Sequence, residues 1–325
     1  MDDRMLLRAL AAGPVSGDTL ARAAGLTRAA VWKRIEALRE AGVGIEATAG
    51  RGYRLAMPLD LLEADAIRAA LPAATRDGLA GLDVAWTIES TNTALLREPA
   101  PARGARVLLA ERQTGGRGRR GRAWQSPLGA SLLLSVARSF DGGLARLGGL
   151  SLVAGLATAA ALRAAGFPAV GLKWPNDLVV EGDDGLRKLG GLLVEGGGEH
   201  AGPVRAVIGI GLNVRLPERA AAAIDQPWSD LAALGTPPSR DALAAMLLSH
   251  LLPALDAFDR DGFAPFAAQW PAFDVLQGRD VVLHLPDRTE AARVLGLADD
   301  GALRVRTAAG ERAVHAGEVS LRVAP

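Results

Sequence analysis

Gln113-Thr114-Gly115-Gly116-Arg117-Gly118-Arg119-Arg120-Gly121-Arg122-Ala123-Trp124 packs four glycines and four arginines into twelve residues. Nothing in this run can bury an apolar face, so it is neither a core helix nor a core strand. Glycine lets the backbone reach positive φ and come close to a ligand. Guanidinium groups offer planar forks of donors that match phosphate and carboxylate oxygens. The run therefore reads as an anion-binding loop that gains order when a polyanion such as a nucleotide triphosphate arrives. Gly116-x-Gly118-x-x-Gly121 spells the dinucleotide fingerprint, but that fingerprint needs a helix opening at its third glycine. The chain instead enters the turn Ala123-Trp124-Gln125-Ser126-Pro127 and then a strand-like run, 131–136. A Rossmann reading is set aside on that ground. A solvated arginine-glycine tail that binds nucleic acid is disfavoured too, because apolar runs at 107–109 and 132–134 flank the loop.

The 325 residues, 49% of them hydrophobic, suffice for two or three domains with their own cores. A net charge of +1 makes no whole-chain case for nucleic acid, so local charge has to decide. The lack of cysteine excludes a disulfide framework, a thiolate nucleophile and a cysteine zinc site. His200, His250, His284 and His315 are scattered without ligand spacing, which argues against a structural metal. No N-terminal run has signal-peptide form and no uninterrupted apolar stretch reaches the roughly 18 residues of a membrane span. The expectation is a cytoplasmic protein without a membrane partner. Lysine occurs only at Lys33, Lys173 and Lys188, against 34 arginines. Where charge alone matters the two exchange freely, so a surviving lysine marks a place that needs a compact ammonium.

Outward from the loop, the N-terminal segment reads as three helices, over 3–12, up to Ala24 and over 28–41, with Ser16 or Asp18 and then Thr27 as caps. Ile45-Glu46-Ala47-Thr48 and Tyr53-Arg54-Leu55 around Gly50-Arg51-Gly52 read as a two-stranded wing. The whole is a winged helix-turn-helix, with Thr27, Arg28, Trp32, Lys33 and Arg34 toward DNA and Val31, Ile35 and Leu38 toward the core. Residues 1–57 carry nine basic and six acidic side chains, a mild phosphate footprint. An amphipathic segment at 61–71 links this module to a strand at 82–89 that runs into Ser90-Thr91-Asn92. Further strands are read at 106–111, 170–173, 178–180, 188–195 and 204–212, with helices at 146–165 and 240–258. Helices and strands do not alternate as βαβ units, so an α+β domain with a mixed or antiparallel sheet is expected. From Gln277 the pattern changes to short alternating runs at 280–285, 291–297, 303–307, 312–315 and 319–323, a small β-barrel.

Three more motifs lie beyond the arginine-glycine loop: Lys173-Trp174-Pro175-Asn176-Asp177, Lys188-Leu189-Gly190-Gly191 and Gly209-Ile210-Gly211-Leu212-Asn213. Each is weak alone. In this order and at these spacings they resemble biotin-protein ligase, and with the N-terminal module the chain resembles the bifunctional biotin-protein ligase and biotin operon repressor. The implied organisation is a winged helix-turn-helix domain at 1–57, a linker and connecting helix at 58–82, a catalytic domain at 83–274 and a C-terminal domain at 275–325. The resemblance implies a catalytic sheet like that of class II aminoacyl-tRNA synthetases and lipoate ligases, and an SH3-like barrel.

It also implies a reaction. Biotin is activated with ATP to biotinyl-5′-AMP, then transferred to a lysine of a biotin carboxyl carrier protein. Biotinyl-AMP would further act as corepressor by favouring a homodimer on operator DNA. Lys188, Arg119 and Asp177 are the expected catalytic residues. Ser90, Thr91, Asn92, Gln113, Arg117, Gly118, Arg119, Lys188, Gly191 and Gly209 are expected around biotin. Arg119, Arg120, Arg122, Trp124, Lys173, Asn176, Asn213 and Trp228 are expected around the nucleotide. Mg²⁺ would be held mainly by phosphate oxygens, with Asp177 either reaching it through water or orienting the incoming amine. Two alternatives stand beside this: a lipoate-protein ligase-like acyl transferase, and a non-enzymatic biotin-sensing repressor.

Overall fold

A computed structural model describes residues 2–48, 50–141, 143–198, 203–218, 222–285, 288–316 and 320–323. Short polar side chains start each of the first three helices. Asp2 accepts from the Met5 amide at 2.9 Å and opens α1 (Asp3–Ala11). Ser16 accepts from Thr19 N and opens α2 (Gly17–Ala24), and Thr27 accepts from Ala30 N and opens α3 (Arg28–Glu40). Leu6, Leu7, Leu10, Leu20, Val31, Ile35 and Leu38 meet in one core. The wing is the antiparallel pair β1 (Ile45–Thr48) and β2 (Gly52–Leu55).

The linker buries Leu62, Ile67 and Leu71 around α4 (Ala64–Ala70), and the turn α5 (Ala73–Asp77) leads into the central sheet. β3 (Leu79–Ile88), α6 (Thr91–Arg97) and β4 (Ala105–Gln113) form a crossover unit with β3 parallel to β4. The later strands pair antiparallel: β5 (Ser131–Phe140), β6 (Gly171–Lys173), β7 (Asp177–Gly182), β8 (Gly185–Gly198) and β9 (Val204–Asn213). The seven strands lie in the order β3-β4-β5-β9-β8-β7-β6, a mixed sheet as expected. Behind it lies α7 (Leu150–Ala164), buried nearly all round because the sheet covers one side and α9 (Arg240–Asp261) the other. A one-turn helix, α8 (Leu231–Leu234), precedes α9. By length and composition alone α9 is long and apolar enough to cross a membrane, a test that buried core helices also pass. Here Leu243, Leu247, Leu251 and Leu255 on it are fully buried in the core.

The expected start of the long helix at Arg146 is corrected. A 3-10 turn (Leu144–Leu147) comes first, and Gly149 at φ 82° breaks the chain before α7 begins. Such a φ strains any residue with a Cβ, so helix propensity in the flanking leucines does not carry through it. The C-terminal unit is all β, with β10 (Asp280–His284), β11 (Thr289–Leu297), β12 (Leu303–Thr307), β13 (Gly310–Val314) and β14 (Ser320–Val323) in the order β13-β12-β11-β10-β14. The first residue of the expected last strand, Val319, lies outside the described residues.

A buried ion pair ties linker to sheet. Glu111 on β4 and Arg240 at the start of α9 are both fully buried and meet at 2.7 Å. Leu62 N donates to the other Glu111 oxygen at 2.6 Å, and Arg240 Nη1 donates to Ser131 O at 3.3 Å. Burial pushes the Glu111 carboxyl up, and the Arg240 charge pulls it back.

Candidate active site

Strand ends and loops of the central sheet enclose a cavity of about 760 Å³, and every residue expected for biotin, nucleotide or catalysis borders it. At one end is a network of fixed polar groups. Ser90 caps α6 by accepting from Thr93 N at 3.3 Å, so its oxygen is used locally. Thr91 donates its amide to Gln113 Oε1 at 2.6 Å and its hydroxyl lies 2.6 Å from Ser135 Oγ. Ser135 donates to Asn92 Oδ1 at 2.6 Å. Both Asn92 amide protons are also taken, by Leu193 O at 3.1 Å and Glu195 Oε2 at 2.9 Å. The amide is thus oriented by bonds, with one oxygen lone pair left for a ligand.

The arginine-glycine loop arches over the cavity. Gly118 N donates to Arg122 O at 2.8 Å, closing a hairpin whose tip holds Arg120 at φ 57°, the positive-φ non-glycine residue among those described. Arg117 reaches Glu195 at 3.1 Å. Arg119 donates to Asn176 Oδ1 at 3.3 Å and also to Ala316 O of the C-terminal unit. Burial, then the neighbouring Arg120, hold the Arg119 guanidinium below its ordinary pKa, with Asp177 opposing. A guanidinium starts so high that it stays charged and gains affinity for an anion. Trp124 ends the loop, 5.7 Å from the Lys188 ammonium across its ring, with a buried Nε1 that has no partner.

On the floor, Lys188 Nζ meets Asp177 Oδ1 at 2.7 Å. Their strands pair with a register shift: Leu178 faces Gly190 while Val179 faces Lys188, leaving Leu189 as an extra residue. On a regular strand Lys188 and Gly191 would point to opposite faces. The extra residue puts both toward the cavity. Lys173 borders the same floor, and Trp174 behind it precedes a cis proline and donates to Gly301 O at 3.1 Å. Asn176 spends its amide on Leu192 O at 2.8 Å and Asn213 spends its own on Ser229 O at 3.0 Å, so both brace backbone. Lys188 exchanges backbone bonds with Pro227 and Ser229, which seats Trp228 at the rim.

Two residues that sequence reasoning does not assign belong to the site. Ser135 reads as part of an apolar strand; the signal is a hydroxyl amid Leu132-Leu133-Leu134 and Val136. Glu195 closes the lysine-Leu-Gly-Gly strand, and its signal is a lone carboxylate directly after Leu192-Leu193-Val194. No group of three or more metal-ligating side chains exists among the described residues, and Asp177 already serves Lys188. The donor set fits Mg²⁺ only as part of a nucleotide substrate.

In the N-terminal unit, Trp32 is 54% exposed, Lys33 is exposed and Arg28 pairs with Asp18 at 3.3 Å on the surface. Thr27 serves as the cap. Arg34 departs from the expectation: it pairs with Asp3 of α1 at 2.9 Å. About 100° of rotation per residue carries it past the outward face of Lys33 toward the neighbouring helix.

Residues 84–213 match the Biotin/lipoate A/B protein ligase family, residues 4–54 an HTH domain and residues 278–322 the Biotin protein ligase C terminal domain. Fold and site thus define a protein ligase of the biotin and lipoate class carrying a helix-turn-helix module. The chain is 37% identical over 309 residues to the bifunctional ligase/repressor BirA of Escherichia coli K12, covering 95% of this chain and 93% of that one. It belongs to the bifunctional biotin ligase/repressor family. It is also 36% identical over 250 residues to the biotin–[acetyl-CoA-carboxylase] ligase of Mycobacterium tuberculosis, covering 73% of this chain and 88% of the other. Among solved structures, the biotin protein ligase from Aquifex aeolicus in complex with biotin and ATP superposes with a TM-score of 0.61 at 26% identity, covering 75% of this chain and 100% of that one.

Proposed function

We propose that this chain joins biotin to ATP as biotinyl-5′-AMP with release of pyrophosphate, transfers biotin to a carrier-protein lysine, and represses transcription as a biotin-responsive DNA-binding protein. The polar network of Thr91, Asn92, Gln113 and Ser135 suits the ureido ring. The four loop arginines suit a carboxylate and a polyphosphate that must be pushed together against their repulsion. Lys188 lines the same cavity as both network and arginines. A compact ammonium follows an oxygen as that oxygen changes partner from carboxylate to phosphoanhydride. Asp177 holds that ammonium in place. In the second step the carrier amine attacks the acyl carbon and AMP leaves. The loop keeps water from the anhydride meanwhile. Mg²⁺ enters on the triphosphate.

The finer readings rest on the same footing: a catalytic sheet like that of class II synthetases, an SH3-like C-terminal barrel, a carboxyl carrier protein as acceptor, and biotinyl-AMP as a corepressor that favours a homodimer. The observation that carries the ligase reading is the 2.7 Å Lys188–Asp177 pair in one cavity with the hydrogen-bonded Thr91–Asn92–Gln113–Ser135 network and the arginine-rich loop. ATP–pyrophosphate exchange tests it. Exchange should require biotin, and exchange that responds to lipoate instead would overturn the biotin assignment. Fluorescence anisotropy on operator DNA tests the corepressor. Binding should tighten with biotin and ATP together, and binding indifferent to both rejects it.

A further inference from the structure

Glu195 joins two parts of the site. One carboxylate oxygen accepts from Asn92 Nδ2 at 2.9 Å and the other from Arg117 at 3.1 Å. Asn92 belongs to the ring end of the cavity, and Arg117 to the loop over it. Asn92 is otherwise fixed by Ser135 and Leu193 O, so its orientation depends on a small set of partners. Gly209 packs beneath it so closely that a Cβ there would lie 2.4 Å from Asn92 Oδ1. Glu195 reaches this position because β8 pairs with β9 without a break from Gly190 to Gly198, so Gly191, Leu193 and Glu195 alternate onto one face.

We propose that Glu195 is a positioning residue that couples ring recognition to loop placement: its carboxylate aligns the Asn92 amide toward the substrate ring and at the same time anchors Arg117 at the mouth. This rests on the biotin ligase reading. A purely structural carboxylate would, on removal, lower the active fraction and so the apparent rate, without singling out the KM of one substrate. A positioning carboxylate does single one out. Glutamine at 195 keeps an acceptor for Asn92 Nδ2 and loses the charge that holds Arg117, whereas alanine loses both.

The test is steady-state pyrophosphate exchange by the full-length protein with biotin and ATP varied separately, for wild type, Glu195→Gln and Glu195→Ala. In Glu195→Ala the KM for biotin should rise by about tenfold or more, the scale of one lost charge-assisted bond, while the KM for ATP moves far less. Glu195→Gln should restore most of the biotin KM. Trypsin cleavage in the arginine-rich loop, measured without ligand, should be faster in both variants, since both lose the Arg117 anchor. A Glu195→Ala protein with a biotin KM within twofold of wild type, or with both KM values raised alike, overturns the proposal, as does a loop cleaved at the wild-type rate. Wild-type protein that lacks biotin-dependent exchange would instead sink the ligase reading itself, so the two failures are distinct.

Discussion

The three lysines illustrate what single residues disclose. In a chain that uses arginine almost everywhere, Lys173 and Lys188 stand out by composition, and the structure places both at one cavity. The pairing of Lys188 with Asp177 is not legible in the sequence, because that contact depends on two strands and their register. Lys188→Ala should lower biotin-dependent exchange by roughly 10²–10³-fold, the scale for removing one preorganised charge at a developing anion. Its thermal unfolding should stay near that of wild type, because a partly exposed ammonium contributes little to stability. Exchange within a few-fold of wild type would remove the assigned role. Lys33, the third lysine, is outward on α3, whereas Arg34 is held by Asp3. Lys33→Ala should therefore reduce the salt dependence of operator binding by about one unit in slope. An unchanged slope would place Lys33 off the phosphate backbone.

At the level of elements, the sequence marks helices well where caps are clear, as in α2 and α3, and strands where an apolar run is bounded, as in β4 and β9. It fails where a local backbone event breaks the pattern. The turn ending at Gly149 moves the start of α7, and the extra residue in β8 switches which side chains face the cavity. Neither has a composition of its own: Gly148-Gly149 and Gly190-Gly191 are both glycine pairs, yet one ends a turn and the other lies within a strand. Close packing on the neighbouring β9 gives a test. A methyl on Gly209 would fall 2.4 Å from Asn92 Oδ1 and 2.9 Å from its Cγ, and the Asn92 side chain is too fully bonded to yield cheaply. Gly209→Ala is expected to cost about 1–3 kcal/mol by overpacking, and to raise the biotin KM through displacement of Asn92. Biotin titration by calorimetry reads it directly. Undiminished affinity would show that Asn92 does not orient the ring.

Across the whole molecule, composition shifts mark the three units, while the seams between them escape sequence reading because they are made by single side chains from distant segments. Arg4 and Arg8 of α1 reach Glu63 in the linker, and Arg4 lies over the Trp86 ring at 5.7 Å. Leu128 contributes more. It belongs to the central domain by sequence, four residues beyond Trp124, yet it is 4% exposed within the core of the N-terminal unit. Its amide donates to Ala41 O at 3.0 Å, while Gly129 N donates to Glu111 O at 3.1 Å. One turn therefore plugs the helix-turn-helix core and grips the strand that holds the buried Glu111–Arg240 pair. A shared core makes two domains unfold together. Leu128→Ala removes that plug, and buried leucine-to-alanine changes cost about 2–5 kcal/mol. The loss should fall on the N-terminal unit, because the central core has its own leucines around α7 and α9. Scanning calorimetry should then show an earlier, small transition split from the main one, with pyrophosphate exchange surviving past the first. A single transition shifted as a whole would mean that the polar contacts at Glu63 suffice to hold the seam and that Leu128 is one core residue among many.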